Sequence, residues 1–336
     1  MMAAKEHPIA HKDVPGVAFA NIGGSGSWGY RFPDGALAAD GPLAVRRVEA
    51  RLVFETPFGD SPPFGLYELT NRATGLTRRF LRVWMHGLQP GVVQPTPEDP
   101  HAGTAMRAAE KVFSVLRRAG TKWILVDASV GGINPLLDTW DLVIAHDFFD
   151  DMKRVPRLEE GGFVTLRRPY CPHLRRVLHD AAGRHLASYT ALAQQLAGRP
   201  VYPKIVRRGV YVCPDGPWFE SPAQILDYQR RGFDVVGKTL VPEVQLARAI
   251  GAHFACINPV VNPAEGLVDP DTGRQHDWTS EDLFRIYDQY GPIVSAMVLD
   301  ALASVEADAP GCDCEALGSS RMRRAYPRFM EGAPDR

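Results

Sequence analysis

Apolar positions along this 336-residue chain follow two rhythms, short continuous runs and helical spacings, with Gly- or Pro-rich turns between them. VAFANIGGSG (17–26) reads as a strand entering a Gly-rich turn. Residues 46–55 alternate like a strand, and TPFGDSPP closes it. LRVWMH (81–86) is a further short strand, and 88–104 is a Pro- and Gly-rich loop. Residues 105–120 carry apolar side chains at helical spacing, then Arg117, Arg118 and a Gly120 stop. KWILVDAS (122–129) is an apolar run too short for a helix, opening into Gly131-Gly132, so it predicts a buried strand. WDLVIAHDFFD (140–150) repeats that pattern. Helical spacing returns over 172–197, with a break expected near Gly183. IVRRGVYVCPDGP (205–217) is a strand and turn, and 221–232 is a helix with Ser221 as N-cap and Gly232 as its stop. DVVGKT (234–239) is a strand, and 241–251 is a helix with Pro242 at its start and Gly251 at its end. HFACINPVV (253–261) is a strand, and 279–306 is helical, with an interruption expected near Gly291-Pro292.

Strands alternating with helices predict an α/β fold, a largely parallel sheet between helical layers. Ligands in such sheets bind beyond the carboxyl ends of the strands. Four segments leave a strand into a polar or Gly-rich turn: Gly23–Gly26, Ser129–Gly132, Gly216–Glu220 and Asn258–Glu265. Together they predict one site.

Composition narrows the class. Hydrophobic residues are 45 % and charged residues 23 %, which is globular usage, and a net charge of −1 provides no broad electrostatic case for nucleic acid or an anionic membrane. No apolar run is long enough to span a bilayer, and the first residues carry no apolar signal segment. A cytoplasmic enzyme acting on a small molecule is the expectation. One domain over 16–320 is expected, with a loose leader at 1–15 and a tail at 321–336. Five cysteines are too few for a disulfide framework in a chain of this length. The Cys312-x-Cys314 pair taken alone is too tight and isolated for zinc, so no metal is expected; it reads as structural or redox-sensitive. Cys171, Cys213 and Cys256 read as core residues.

Several collinear segments carry a resemblance: IGGSG (22–26), ETPFG (55–59), AGTKWILVDASVGGI (119–133), PYCPHLRRVL (169–178), GVYVCPDGPWFES (209–221), GFDVVGKTLVPEV (232–244), LARAIGAHFACI (246–257) and GCDCEAL (311–317). In order and spacing, over roughly 17–318, they resemble the trimeric purine nucleoside phosphorylase and methylthioadenosine phosphorylase family. The resemblance implies a three-layer phosphorylase-type fold, with a mixed, mostly parallel central sheet flanked by helices. It implies a homotrimer and a pentosyltransferase that splits a nucleoside's glycosidic bond with phosphate. Inorganic phosphate is then the co-substrate, and no cofactor is implied.

The same resemblance implies residue roles. Asn262 matches the family's base-contacting position, and Glu220 matches the carboxylate that reads an oxopurine N1–H, so the pair, with His86, forms the expected catalytic set. Phe219 would pack on base or sugar. Ser25, His86, Ser129 and Thr239 match phosphate contacts, and Ser129, Val130, Gly131, Lys238 and Thr239 match positions along the substrate. His276 lies where some members contact the sugar 5′-hydroxyl. Phe148 and Phe149 are candidates for closing a neighbouring subunit's pocket. Plainer readings stand beside these: Glu220 as a helix cap, Asn262 as a loop residue before Pro263, Ser25 as part of a tight turn.

Three departures bear on the chemistry. Met85 and Trp84 stand where the two branches of the family carry a phosphate-binding Arg, and Gly87-Leu88-Gln89-Pro90 lacks the Arg and His of the usual segment. One lost charge-assisted contact costs about 1.5–3 kcal/mol, roughly tenfold to more than a hundredfold in binding. Lys238 replaces the apolar residue that lies beneath the ribose in the family. It restores charge for phosphate, binds an anionic substrate group, or pairs with Glu220 or Glu243. The expected activity is therefore phosphorolysis of an oxopurine-like or modified, anionic nucleoside, in specialised metabolism. Hydrolysis without phosphate and a catalytically silent nucleoside-binding paralogue remain the alternatives.

Overall fold

A computed structural model describes residues 10–27, 30–85, 105–152, 155–157, 164–214, 216, 218–268, 272–274, 278–308 and 311–318. His86, His276 and the tail at 321–336 lie outside these residues.

Among the described residues, twelve strands and five α-helices follow in the order β1 (Phe19–Gly23), β2 (Leu43–Leu52), β3 (Phe64–Asn71), β4 (Thr77–Trp84), α1 (Ala105–Arg118), β5 (Trp123–Asp127), β6 (Val130–Gly132), β7 (Leu142–Val143), β8 (Asp147–Asp150), α2 (Pro172–Ala197), β9 (Ile205–Val206), β10 (Val210–Cys213), α3 (Pro222–Arg230), β11 (Val235–Val236), α4 (Leu240–Ala249), β12 (His253–Pro263) and α5 (Ser280–Ser304). The main path of the sheet runs β2-β3-β4-β1-β5-β12-β6-β11-β10-β8, with β7 on β12 and β9 on β7. Its centre, β4-β1-β5-β12-β6, is parallel, and the β2-β3-β4 edge is antiparallel. This is the mixed, mostly parallel sheet the sequence predicts.

Burial on both sides explains why the central strands read as continuous apolar runs. Trp123–Asp127 is buried at every position, and so is β12 from His253 to Asn262. One face packs on α1 and α4 through Val112, Phe113, Leu116, Leu240 and Val244. The other packs on α2 and α5 through Leu174, Leu178, Tyr189, Met297 and Leu302. A smaller apolar cluster seats α3 through Ile225 and Tyr228. Before β1, His11 bridges Phe54.

Local signals hold where chain chemistry is self-sufficient. Ser221 caps α3 in a reciprocal box with Gln224. Gly120, Gly232 and Gly251 all take positive φ at or just past helix ends. Two expected breaks are absent. α2 runs unbroken through Gly183, whose Cβ position faces open space, and α5 runs unbroken through Pro292. A mid-helix Gly costs about 1 kcal/mol and a mid-helix Pro about 3 kcal/mol. The α2–α5 layer offsets both by burying an apolar stripe along each helix. β3 lies in a stretch with no sequence assignment, and 205–213 forms two short strands, β9 and β10. α4 kinks at Val241 and Pro242, so its regular turns begin after the proline.

The cysteine expectation also changes. Cys312 and Cys314 are not isolated, because Cys171, at the N-cap of α2, and His253, at the start of β12, converge on them. No described helix is long and apolar enough to cross a membrane.

Candidate active site

β1 and β5 run parallel in register from Phe19↔Trp123 to Ile22↔Val126, so their carboxyl ends open side by side. The Gly-rich turn after β1 and the loop after β5 must therefore meet, although they are about a hundred residues apart. Ser25 Oγ lies 2.6 Å from Ser129 Oγ. The glycines permit the approach. A Cβ at Gly24 would stand 2.1 Å from the Asp127 carbonyl, and one at Gly23 would stand 2.7 Å from Arg82 Nη2. Asp127 fixes the turn by accepting from Gly24 N–H at 2.9 Å and from Ser27 Oγ–H at 3.3 Å. Asn258 Nδ2 donates to the Ala128 carbonyl at 3.0 Å and holds the second loop.

α5 adds two phenols one turn apart. Tyr290 OH is 2.7 Å from Ser129 Oγ. Tyr287 reaches both Ser25 and Ser129. Burial pushes both phenols above their ordinary pKa, further than the serine contacts lower them, so both stay protonated donors at neutral pH. The result is a connected hydroxyl cluster, whose O–H groups can donate to an anion.

A second group lies across β6. Asn262 pairs with Gly131 in the β12–β6 register, and a Cβ at Gly131 would lie 3.6 Å from Asn262 Nδ2. Asn262 is buried and donates to the Pro263 carbonyl at 2.8 Å. Val130 is buried beside it. The loop after Asn262 packs on the start of α3, where a Cβ at Gly266 would stand 2.4 Å from Pro222 Cβ. Glu220 is buried and ion-paired with Lys238. Because Ser221 is the cap of α3, Glu220 is not needed for that task. Among the partners open to Lys238 in the sequence, Glu220 is one that the structure brings to it. Thr239 N–H donates to Tyr211 OH at 3.0 Å. Phe219 is 57 % exposed and meets Trp278 edge-on at 5.1 Å, at the rim.

Five further residues stand at or near positions the sequence singles out. Met85 is buried and apolar, and Trp84 is 40 % exposed, so neither supplies the charge of the missing Arg. Arg82 keeps its guanidinium behind the Gly-rich turn, donating to Asn21 Oδ1 and lying 4.0 Å over the Phe32 ring. Phe149 stacks on Phe233 and under Arg231 within the chain, and Phe148 packs against the core.

Sequence reasoning missed Asp127, Tyr211, Tyr287 and Tyr290. Asp127 had a visible signal, as the lone acid closing an apolar run. The tyrosines had none, because an aromatic at strand or helix spacing reads as core until its hydroxyl is placed.

A cleft of about 940 Å³ lies next to this site, lined by Gly132, Leu137, Tyr202, Pro222, Leu226 and Pro263 among others. It borders the loop after Asn262 and contains none of the candidate side chains.

Comparison with known proteins agrees with the geometry. The family model described as the phosphorylase superfamily matches residues 44–290. A probable 6-oxopurine nucleoside phosphorylase of Moorella thermoacetica is 34 % identical over 188 residues, 54 % of this chain and 64 % of that protein. A probable S-methyl-5′-thioinosine phosphorylase of Methanothermobacter thermautotrophicus is 26 % identical over 293 residues, 86 % of this chain and 89 % of that protein. The structure of methylthioadenosine phosphorylase from Schistosoma mansoni with adenine superposes with a TM-score of 0.64 at 21 % identity, covering 89 % of this chain and 96 % of that one. With the family model spanning most of the chain, and the sheet order and paired Gly-rich turns described above, this protein belongs to the phosphorylase superfamily.

Proposed function

We propose that this protein cleaves the N-glycosidic bond of a 6-oxopurine nucleoside, or a 5′-modified analogue of one, with inorganic phosphate. The relatives named for 6-oxopurine and methylthioinosine phosphorolysis support that substrate class. The observation that carries the reading is the Ser25–Ser129 contact of 2.6 Å, made at two adjacent strand ends and extended by Tyr290. Such a cluster suits a phosphate below the sugar, and Thr239 is a further expected contact. His86 is a further expected phosphate contact.

Asn262 donates toward the departing base and Glu220 accepts from its N1–H, so charge that builds on the purine meets a donor already in place. Lys238 acts first on Glu220: from a side chain still 32 % exposed it pairs with the buried carboxylate and aims it. An anionic substrate group would have to compete with Glu220 for the same ammonium. Phe219 and Val130 pack on the nucleoside. The family's usual oligomer is the expected state, a ring of three.

The test is base release from inosine, guanosine, methylthioinosine, methylthioadenosine and 5′-phosphorylated analogues, with and without phosphate. Phosphate-dependent release from the oxopurine nucleosides is expected. A hydrolytic reading rests on Met85 and Trp84 in place of Arg, and release at equal rates without phosphate would replace the first reading with it.

A further inference from the structure

The loops at the amino edge of the sheet hold a second cluster that the candidate active site does not use. Cys171, His253, Cys312 and Cys314 place four ligand atoms within 4.8 Å of one another. Cys171 Sγ is 3.4 Å from His253 Nδ1 and 3.6 Å from Cys312 Sγ, and Cys312 Sγ is 3.2 Å from the same nitrogen. Tetrahedral zinc, with Zn–S near 2.3 Å and Zn–N near 2.0 Å, needs its ligand atoms roughly 3.5–3.8 Å apart. Three thiols and one imidazole at this separation are the donor set and spacing of a closed structural site.

We propose that Cys171, His253, Cys312 and Cys314 bind one Zn²⁺ that locks the carboxy-terminal segment 311–318 onto the sheet. Binding displaces three thiol protons and takes the lone pair of His253 Nδ1, which leaves the imidazole proton on Nε2.

The surroundings suit that arrangement. His253 Nε2 lies 3.9 Å from Glu315 Oε1, the carboxylate that orients a ligating imidazole from outside. Lys122 Nζ is 3.8 Å from the same oxygen. Trp123 stacks on the His253 ring at 3.9 Å and 8°, which fixes its plane. Cys171, Cys314 and His253 are buried, so water is largely excluded. Three thiolates around Zn²⁺ carry a net charge of −1, and the buried Arg248 stands beside them with Nη1 donating to the Cys314 carbonyl at 3.0 Å. Such a donor set rejects Mg²⁺ and Ca²⁺, which require oxygen. The ligands come from the N-cap of α2, the first residue of β12 and a C-terminal turn, so the ion ties three distant pieces of chain. It stands at the opposite end of β12 from Asn262, nine residues away along the strand or about 30 Å, which assigns it to architecture.

Full-length protein is purified without chelator and its metal content measured, together with free thiols and intact mass under non-reducing conditions. About one zinc per chain is expected. A thiol-modifying mercurial should release it, and replacement by Co²⁺ should give thiolate-to-cobalt charge-transfer absorption. Cys312→Ser should lower zinc content well below one per chain and weaken the cobalt band. His253→Gln should do the same while leaving every thiol in place. Where a variant does not fold, the wild-type metal content and cobalt spectrum decide. Protein without zinc that also fails to take up Co²⁺ overturns the site. So does an intact mass lighter by the hydrogens of a disulfide among these cysteines.

Discussion

β12 has two ends, and they are built on opposite principles. Its carboxyl end opens toward loops rich in polar groups: the linked Ser25, Ser129 and Tyr290 hydroxyls can each donate or accept, and Phe219 stands at the rim. At its amino end, His253 meets three sulfurs at contact distance, is stacked by Trp123, and has a carboxylate behind it. A site that binds and releases substrate needs groups whose partners can change. A site that secures the chain needs groups whose partners cannot. One strand carries both because a parallel sheet sends its ends to opposite edges of the molecule.

The largest effect expected on either side of this comparison is at the open end. Asn262→Ala should lower kcat/KM for inosine or guanosine by about 10²–10³, the usual loss when a preorganised donor is removed, with little change in Tm. An equal loss at the closed end would erase the distinction. Cys314→Ser should instead lower stability by about 3 kcal/mol or more, read as several degrees of Tm, with kcat/KM of the folded enzyme retained. Tyr290→Phe should be milder, since one neutral hydrogen bond is worth about 1 kcal/mol. The expected readout is a several-fold rise in KM for phosphate with base selectivity unchanged.

The smallest effect concerns a contact at neither end. Asp300 on α5 takes Arg184 and His185 from α2. Burial pushes its carboxyl up, but the hydrogen bonds from His185 and Arg184 outweigh that and bring it down to about 2. A folded pKa below the unfolded one gives stability that is present above about pH 4 and is lost as pH falls through about 2. Asp300→Asn should therefore lower Tm slightly at pH 7, and the difference from wild type should vanish between about pH 4 and 2. Catalysis should not respond, and a change in kcat would tie the α2–α5 layer to the active site.

Much of this was legible in the chain. The order of strands and helices, the Ser221 cap, the Gly120 and Gly251 stops and the four polar loops all rest on nearest-neighbour chemistry. The continuity of α2 through Gly183 and of α5 through Pro292 was not legible, because each local penalty is outweighed by packing between the two helices. For the candidate site, Ser25, Ser129, Glu220, Lys238 and Asn262 were singled out through the family resemblance of the segments that carry them. Tyr287, Tyr290 and Tyr211 were hidden, since their rings follow core spacing and only their hydroxyls take part. The cysteine pair was misread for a related reason: two ligands in a row do not make a site, and the other two lie about 60 and 140 residues upstream.

By itself the sequence determined the fold class, the family and the loops in which chemistry gathers, because those depend on local periodicity and on short motifs in order. Tertiary structure alone decided which side chains meet. It gave Lys238 to Glu220, brought Ser25 to Ser129 under two tyrosines, and joined Cys171 and His253 to the terminal cysteines. Those choices follow from strand register and helix docking, which bring together residues that no local pattern connects.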